Sequence, residues 1–244
     1  MLAVFAVSLC STFFGSICGG GSALISAPLF FELGFSVPVA LTLIKSNATM
    51  WTFAAARNYL KKFPNRPRFL YIGAAAGLPF VLLGTIFARY LPPQDAKQII
   101  GIFLIGASLI LIWKIRLSKG IVHLPSASET QTVIRLLPLA AYEGFFGSGA
   151  NVIASAILMR LRNISIHEAL GWYYVMSFAW CLLASIIYLS QVSTSVDILV
   201  ATLAGAFIGG HLGSSVALRI PSVKMRYLVI IFGILSGLRL VLIT

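Results

Sequence analysis

The sequence predicts an all-α polytopic membrane protein made of two inverted repeats, each a re-entrant or broken helix hairpin followed by three transmembrane helices. Three observations lead there: a strongly apolar chain with little charge, a single internal repeat whose halves both open on a Gly-rich break, and basic residues gathered in alternate loops. Only 10% of the residues are charged, 59% are hydrophobic, and mean hydropathy is +0.97. Soluble chains carry about 25% charged residues, so this chain could not cover its own surface in water. The net charge of +12 reads as Lys and Arg in loops that set topology, not as a nucleic-acid surface.

The first repeat, 1–115, opens on an apolar run with no Lys or Arg ahead of it, which reads as mature fold rather than a signal peptide. The run meets Cys18-Gly19-Gly20-Gly21 and continues for a short arm to Phe35. Three glycines are poor helix material, and the second arm is too short to cross a ~30 Å hydrocarbon core at ~1.5 Å per residue. Spans at 39–56, 69–88 and 98–113 follow. The second repeat, 131–244, opens on residues 133–146, the break Gly147-Ser148-Gly149-Ala150-Asn151, and a short arm to Met159. Its spans are 169–189, 198–218 and 227–243, so 1–244 is a single membrane domain. Composition leaves open whether each break bends a hairpin or interrupts a full span.

Register supports the duplication. FFGS stands at 13–16 and 145–148, a shift of 132. A shift of 129 pairs Ser36 with Ser165, Ala40 with Ala169, Gly84 with Gly213 and Pro92 with Pro221. The difference of three is assigned to the longer Gly run of the first half. If each half is a hairpin plus three spans, the second half lies upside down. Loops 57–68, 114–135, 160–168 and 219–226 then share the cytoplasmic side, with 14 of the 18 Lys and Arg against two outside. Eight plain spans would give nine inside and seven outside. The positive-inside rule favours inversion, a signature of secondary transporters.

The breaks also suggest chemistry. Second arms starting at Ser22 and near Ala150 would aim two helix N-termini, with unpaired N–H groups and partial positive charge, at one point. Gly19, Gly20, Gly21 and Gly149 let backbone approach a ligand, and Ser22, Ser148 and Asn151 add hydrogen bonds, so the tips form a candidate anion site. The alternative is that these glycines only permit close helix packing. Lys45 lies too deep in its span to reach the interface, where a charge costs about 2.5–3.5 kcal/mol. It reads as a counter-charge to an anion, with Asn47 beside it, or as the partner of Glu143 or Glu32. Glu143 and His211 are candidates for a coupling proton, or else a paired and a packed group. Cys10, Cys18 and Cys181 read as small apolar packing residues, and Trp51, Trp113, Trp172 and Trp180 as interfacial or packing residues. With scattered Cys, no His pair and few carboxylates, no catalytic residue, metal site or cofactor is expected, and a membrane-embedded enzyme is disfavoured.

These residues resemble the sulfite exporter TauE/SafE family. The signature stands as FFGSICGGGSALISAPLF at 13–30 and GFFGSGANVIASAILM at 144–159. Lys45 in a span closed by Asn58 and Tyr59 is similar to the family pattern, as is Gly-x-x-x-Ala-x-x-x-Pro at 84–92 and 213–221. The resemblance implies a secondary transporter exporting sulfite, sulfonates or related organic acids across a bacterial plasma (inner) membrane. A passive anion channel is the alternative. The expected partners are a small anionic substrate, the lipid bilayer, a coupling proton and a second copy in a homodimer, with no nucleic acid.

Overall fold

The computed structural model describes residues 1–90 and 127–219, with isolated positions within 92–109 and 234–242. The expected spans 98–113 and 227–243, with Trp113, fall largely outside the described residues. Among the described residues there are eight α-helices and no strand: α1 (Leu2–Ile17), α2 (Ser22–Glu32), α3 (Val37–Lys62), α4 (Phe69–Tyr90), α5 (Glu129–Phe145), α6 (Ala150–Arg162), α7 (Ile166–Gln191) and α8 (Val196–Ala217). α4, α7 and α8 are long and apolar enough to cross a membrane. α3 is as long as α7, 26 residues, but more polar, because it runs through the interior and bonds to several neighbours.

Local chemistry explains the boundaries. Gly19, Gly20 and Gly21 all have positive φ, as do Gly147 and Gly149, so the helix path stops at both breaks. Ser36 and Ser165 cap α3 and α7 in extended conformation. Pro38 sits in the first turn of α3, where its missing N–H is no loss. The second short pair leaves and returns to one place: the Ala127 N–H donates to Leu161 O at 2.9 Å, and Arg162 donates to Ala127 O at 2.9 Å. α1 and α2 also pack on each other, with Gly15 tight against Ser22.

The principal helix contacts come in matched pairs. α1 lies along α8 as α5 lies along α4, α3 packs on α8 as α7 packs on α4, and α3 crosses α7. Glycines permit the close approaches: a methyl on Gly84 would strike the Ala141 carbonyl, and one on Gly213 the Phe13 carbonyl. Trp180 fills the space over Gly77 and donates to Ala74 O, and Trp51 lies on Gly210 and donates to Ser16 Oγ. Trp51, Trp172 and Trp180 are all buried, which decides for packing over an interfacial position.

One expectation is corrected. FFGS does not mark equivalent positions. Gly84 and Gly213 meet Ala141 and Phe13, a shift of 128, and the two breaks have their positive-φ glycines at 19 and 147 and at 21 and 149, again 128. Gly15 is inside α1 whereas Gly147 bends the chain. No three-residue insertion is needed, only one residue before α3 and α7, whose starts differ by 129.

The basic helix ends converge. Lys62 donates to Leu218 O, Trp172 donates to Asn65 O, and Arg162 stacks over the Phe69 ring at 5.3 Å. Segments around 62–69, 160–172 and 218 therefore share one end of the molecule.

Candidate functional site

Both breaks border one cleft. Its walls are Gly21, Ser22 and Ala23 from the start of α2, Glu143 and Phe146 to Ser148 at the end of α5, and Asn151 in α6. Ile44, Ala48, Trp51 and Thr52 of α3 and Ser177 and Cys181 of α7 close it. α2 and α6 start at Ser22 and Ala150, each preceded by a left-handed glycine. Both helix starts thus lie at the cleft, with the Leu24, Ala150 and Ile153 N–H groups already bonded to the Gly21, Gly147 and Gly149 carbonyls. Two buried polar atoms there, Ser148 Oγ and Asn151 Nδ2, have no well-formed hydrogen bond among the described residues, the Asn151 amide lying near the Tyr174 hydroxyl without good bonding geometry. The cleft is nearly closed, with about 10 Å³ of free space, room for about one water molecule.

Glu143 faces the cleft from the last turn of α5 and is buried. Its carboxylate accepts hydrogen bonds from Tyr173 and Ser177, each at 3.0 Å, and from the Cys181 thiol at 3.4 Å. These donors sit at i, i+4 and i+8 on α7 and form one stripe. Cys181 is thus more than a packing residue, Cys18 is buried, and Cys10 is exposed on the outside of α1.

Lys45 is fully buried, and its ammonium donates to the main-chain carbonyl of Glu143, close to Gly147. The cleft wall on α3 is the stripe 44–48–51–52, so Lys45 stands one residue off it. The next two residues bind other helices: Ser46 Oγ pairs with Ser185 Oγ of α7 at 2.9 Å, and Asn47 donates to Ser11 Oγ of α1 at 3.3 Å. Three successive side chains thus tie α3 to α5, α7 and α1. Of the expected site residues, the structure brings Gly21, Ser22, Ser148 and Asn151 to the cleft, with Glu143. Gly19 and Gly20 complete the first turn, where Gly19 faces Leu170, and Gly149 caps α6. Lys45 lies behind the wall and Asn47 is further off. His211 is separate, stacked on Phe207 in α8 with ring centroids 6.3 Å apart.

Sequence reasoning missed Tyr173, Ser177, Trp51 and Thr52. The period-four spacing of Tyr173, Ser177 and Cys181 in an apolar helix was the available signal. Among the described residues no cluster of His, Cys, Asp and Glu could hold a metal ion.

Comparison with known proteins gives two matches. The sequence model of the family described as "Sulfite exporter TauE/SafE" matches residues 4–240. A curated Haemophilus influenzae protein described as "Probable membrane transporter protein" is 23% identical over 254 residues, covering 98% of this chain and 93% of that protein.

Proposed function

Because the chain belongs to the sulfite exporter TauE/SafE family, we propose that it is a secondary transporter that exports small anions, such as sulfite, sulfonates or related organic acids, across a bacterial inner membrane. The observation that carries the proposal is the cleft where two helix N-termini meet beside the unpaired Ser148 Oγ and Asn151 Nδ2. Helix N-termini favour anions, and a buried donor without a partner is unfavourable until a ligand satisfies it.

The two short helix pairs act as re-entrant hairpins entering from opposite faces, in two inverted repeats. Convergence of the basic segments 62–69, 160–172 and 218 at one end supports this, since eight plain spans would divide them between the two faces. A thiol reagent confined to the cytoplasmic side that labelled Ser193→Cys would overturn the topology.

Alternating access fits the closed cleft better than a channel does, because a channel needs a continuous aqueous path. Glu143 supplies the coupling. An anion in the cleft meets an ionised carboxylate at close range, and two unit charges about 4 Å apart repel by about 4 kcal/mol at an effective dielectric of ~20. Protonating Glu143 removes that repulsion, while Lys45 behind the wall keeps its bond to the Glu143 main-chain carbonyl. Anion and proton therefore favour each other's binding, by equal amounts. A thermal-shift screen of sulfite, thiosulfate, sulfonates and small carboxylates tests the substrate class: a sulfur oxyanion should raise the midpoint. A response to carboxylates alone would reassign the cargo, and no response to any anion would remove the site.

A further inference from the structure

Tyr59 and Tyr188 hold the same place in the two halves, each the twenty-third residue of a 26-residue helix. Their bonding is opposite. The Tyr188 hydroxyl points at the Gly144 and Phe145 carbonyls, at 3.1 and 3.2 Å. These are among the last carbonyls of α5, which have no partner within their own helix. Lys45 grips the preceding carbonyl, that of Glu143. The tip of the second hairpin is thus held at three successive residues.

The first hairpin tip is held differently, by Trp51 of α3, which donates to Ser16 Oγ at 2.6 Å. Tyr59 is 1% exposed, yet its hydroxyl has no partner among the described residues. It packs on Gly171, next to Leu170, which touches the tip at Gly19. Tyr174, which occupies in α7 the place of Lys45 in α3, packs its ring tilted against Tyr59 and edge-on to Trp51 instead. In the 128-residue register, the counterparts of Gly144 and Phe145 are Ser16 and Ile17, the last two residues of α1.

We infer that Tyr188 and Tyr59 are alternate latches of the transport cycle, positioning residues that hold one hairpin tip at a time. In this conformation Tyr188 holds the second tip and seals the cleft towards the 190–197 loop. In the opposite conformation Tyr188 lets go and Tyr59 bonds the Ser16 and Ile17 carbonyls, sealing the other side. Equivalent halves that exchange conformations need equivalent contacts made in turn, and an unmade buried hydrogen bond on one half is the mark of that exchange. The inference rests on the alternating-access reading above.

The test uses Cys181, which lines the cleft, as the sole thiol in a Cys10→Ser, Cys18→Ser background. A membrane-impermeant maleimide is applied to oriented vesicles, and the ratio of outside to inside labelling rates is measured, so that intrinsic thiol reactivity cancels. Losing one hydrogen bond changes a two-state ratio by about three- to ten-fold. Tyr188→Phe should raise the ratio by that factor, Tyr59→Phe should lower it, and the double variant should return near the parent. Phe retains the ring, so packing alone predicts no such opposition. Shifts in the same direction, or changes under about two-fold in both, overturn the latch. Opposite shifts of inverted sign keep the latch and overturn the orientation proposed for the chain in the membrane.

Discussion

Gly147→Ala places one methyl group at the centre of the site. Gly147 has φ +77°, which alanine adopts at a cost of about 1–2 kcal/mol. The added carbon would also strike the Glu143 carboxylate and lie 3.2 Å from Lys45 Nζ. The struck oxygen is Oε2, which accepts from the Cys181 thiol, and displacing it pulls the carboxylate from Cys181 or from Tyr173 and Ser177 on Oε1. Losing one such charged hydrogen bond costs about 1.5–3 kcal/mol. The total is about 2.5–5 kcal/mol. Gly34→Ala is the reference: its φ is +84°, but no atom lies within 4 Å of the new methyl, so it bears the backbone strain alone. In thermal unfolding of the purified protein, Gly147→Ala should melt below Gly34→Ala by about 3–12 °C, at roughly 2–4 °C per kcal/mol. Equal midpoints would refute the packing of Glu143 against the second break.

Glu143→Gln keeps the shape of the side chain and removes its titration. Wild-type affinity for a sulfonate, which stays ionised throughout, should weaken as pH rises, because the proton bound with the anion is lost, whereas the variant should bind with little pH dependence; calorimetric titration from pH 5.5 to 8 decides. Gly84→Ala and Gly213→Ala should both lower the melting temperature clearly, since each new methyl meets backbone of a facing helix. A drop in only one of them would break the equivalence of the two halves. Ser128→Ala removes the cap that accepts from Gln131 N–H, costing about 1 kcal/mol. Sulfite affinity measured alongside should be unchanged, because Ser128 is remote from the cleft.

The sequence carried the breaks and the longest helices well. Glycine triplets have few ways to continue a helix, and the Ser36/Ser165 pairing became two N-caps at the start of equal helices. FFGS misled because composition does not say which glycine bends. Gly15 stays helical under pressure from Ser22, whereas Gly147 turns beside the Glu143 carboxylate. Lys45 was legible as a charge needing a partner, and Glu143 as a candidate. That the bond goes to the main-chain carbonyl depends on where α5 ends relative to α3, which is a matter of packing. The Tyr173, Ser177 and Cys181 stripe was hidden for the same reason. Its polarity is ordinary in a buried helix until a carboxylate is placed opposite.

Sulfite counterflow in proteoliposomes tests the central claim most directly. Vesicles loaded with unlabelled sulfite should take up labelled sulfite transiently and saturably. Asn151→Leu, which removes the unpaired amide from the cleft, should slow that uptake at least ten-fold while the protein remains folded. Absence of exchange by folded wild-type protein, or exchange that Asn151→Leu leaves untouched, would contradict an anion site between the two hairpin tips.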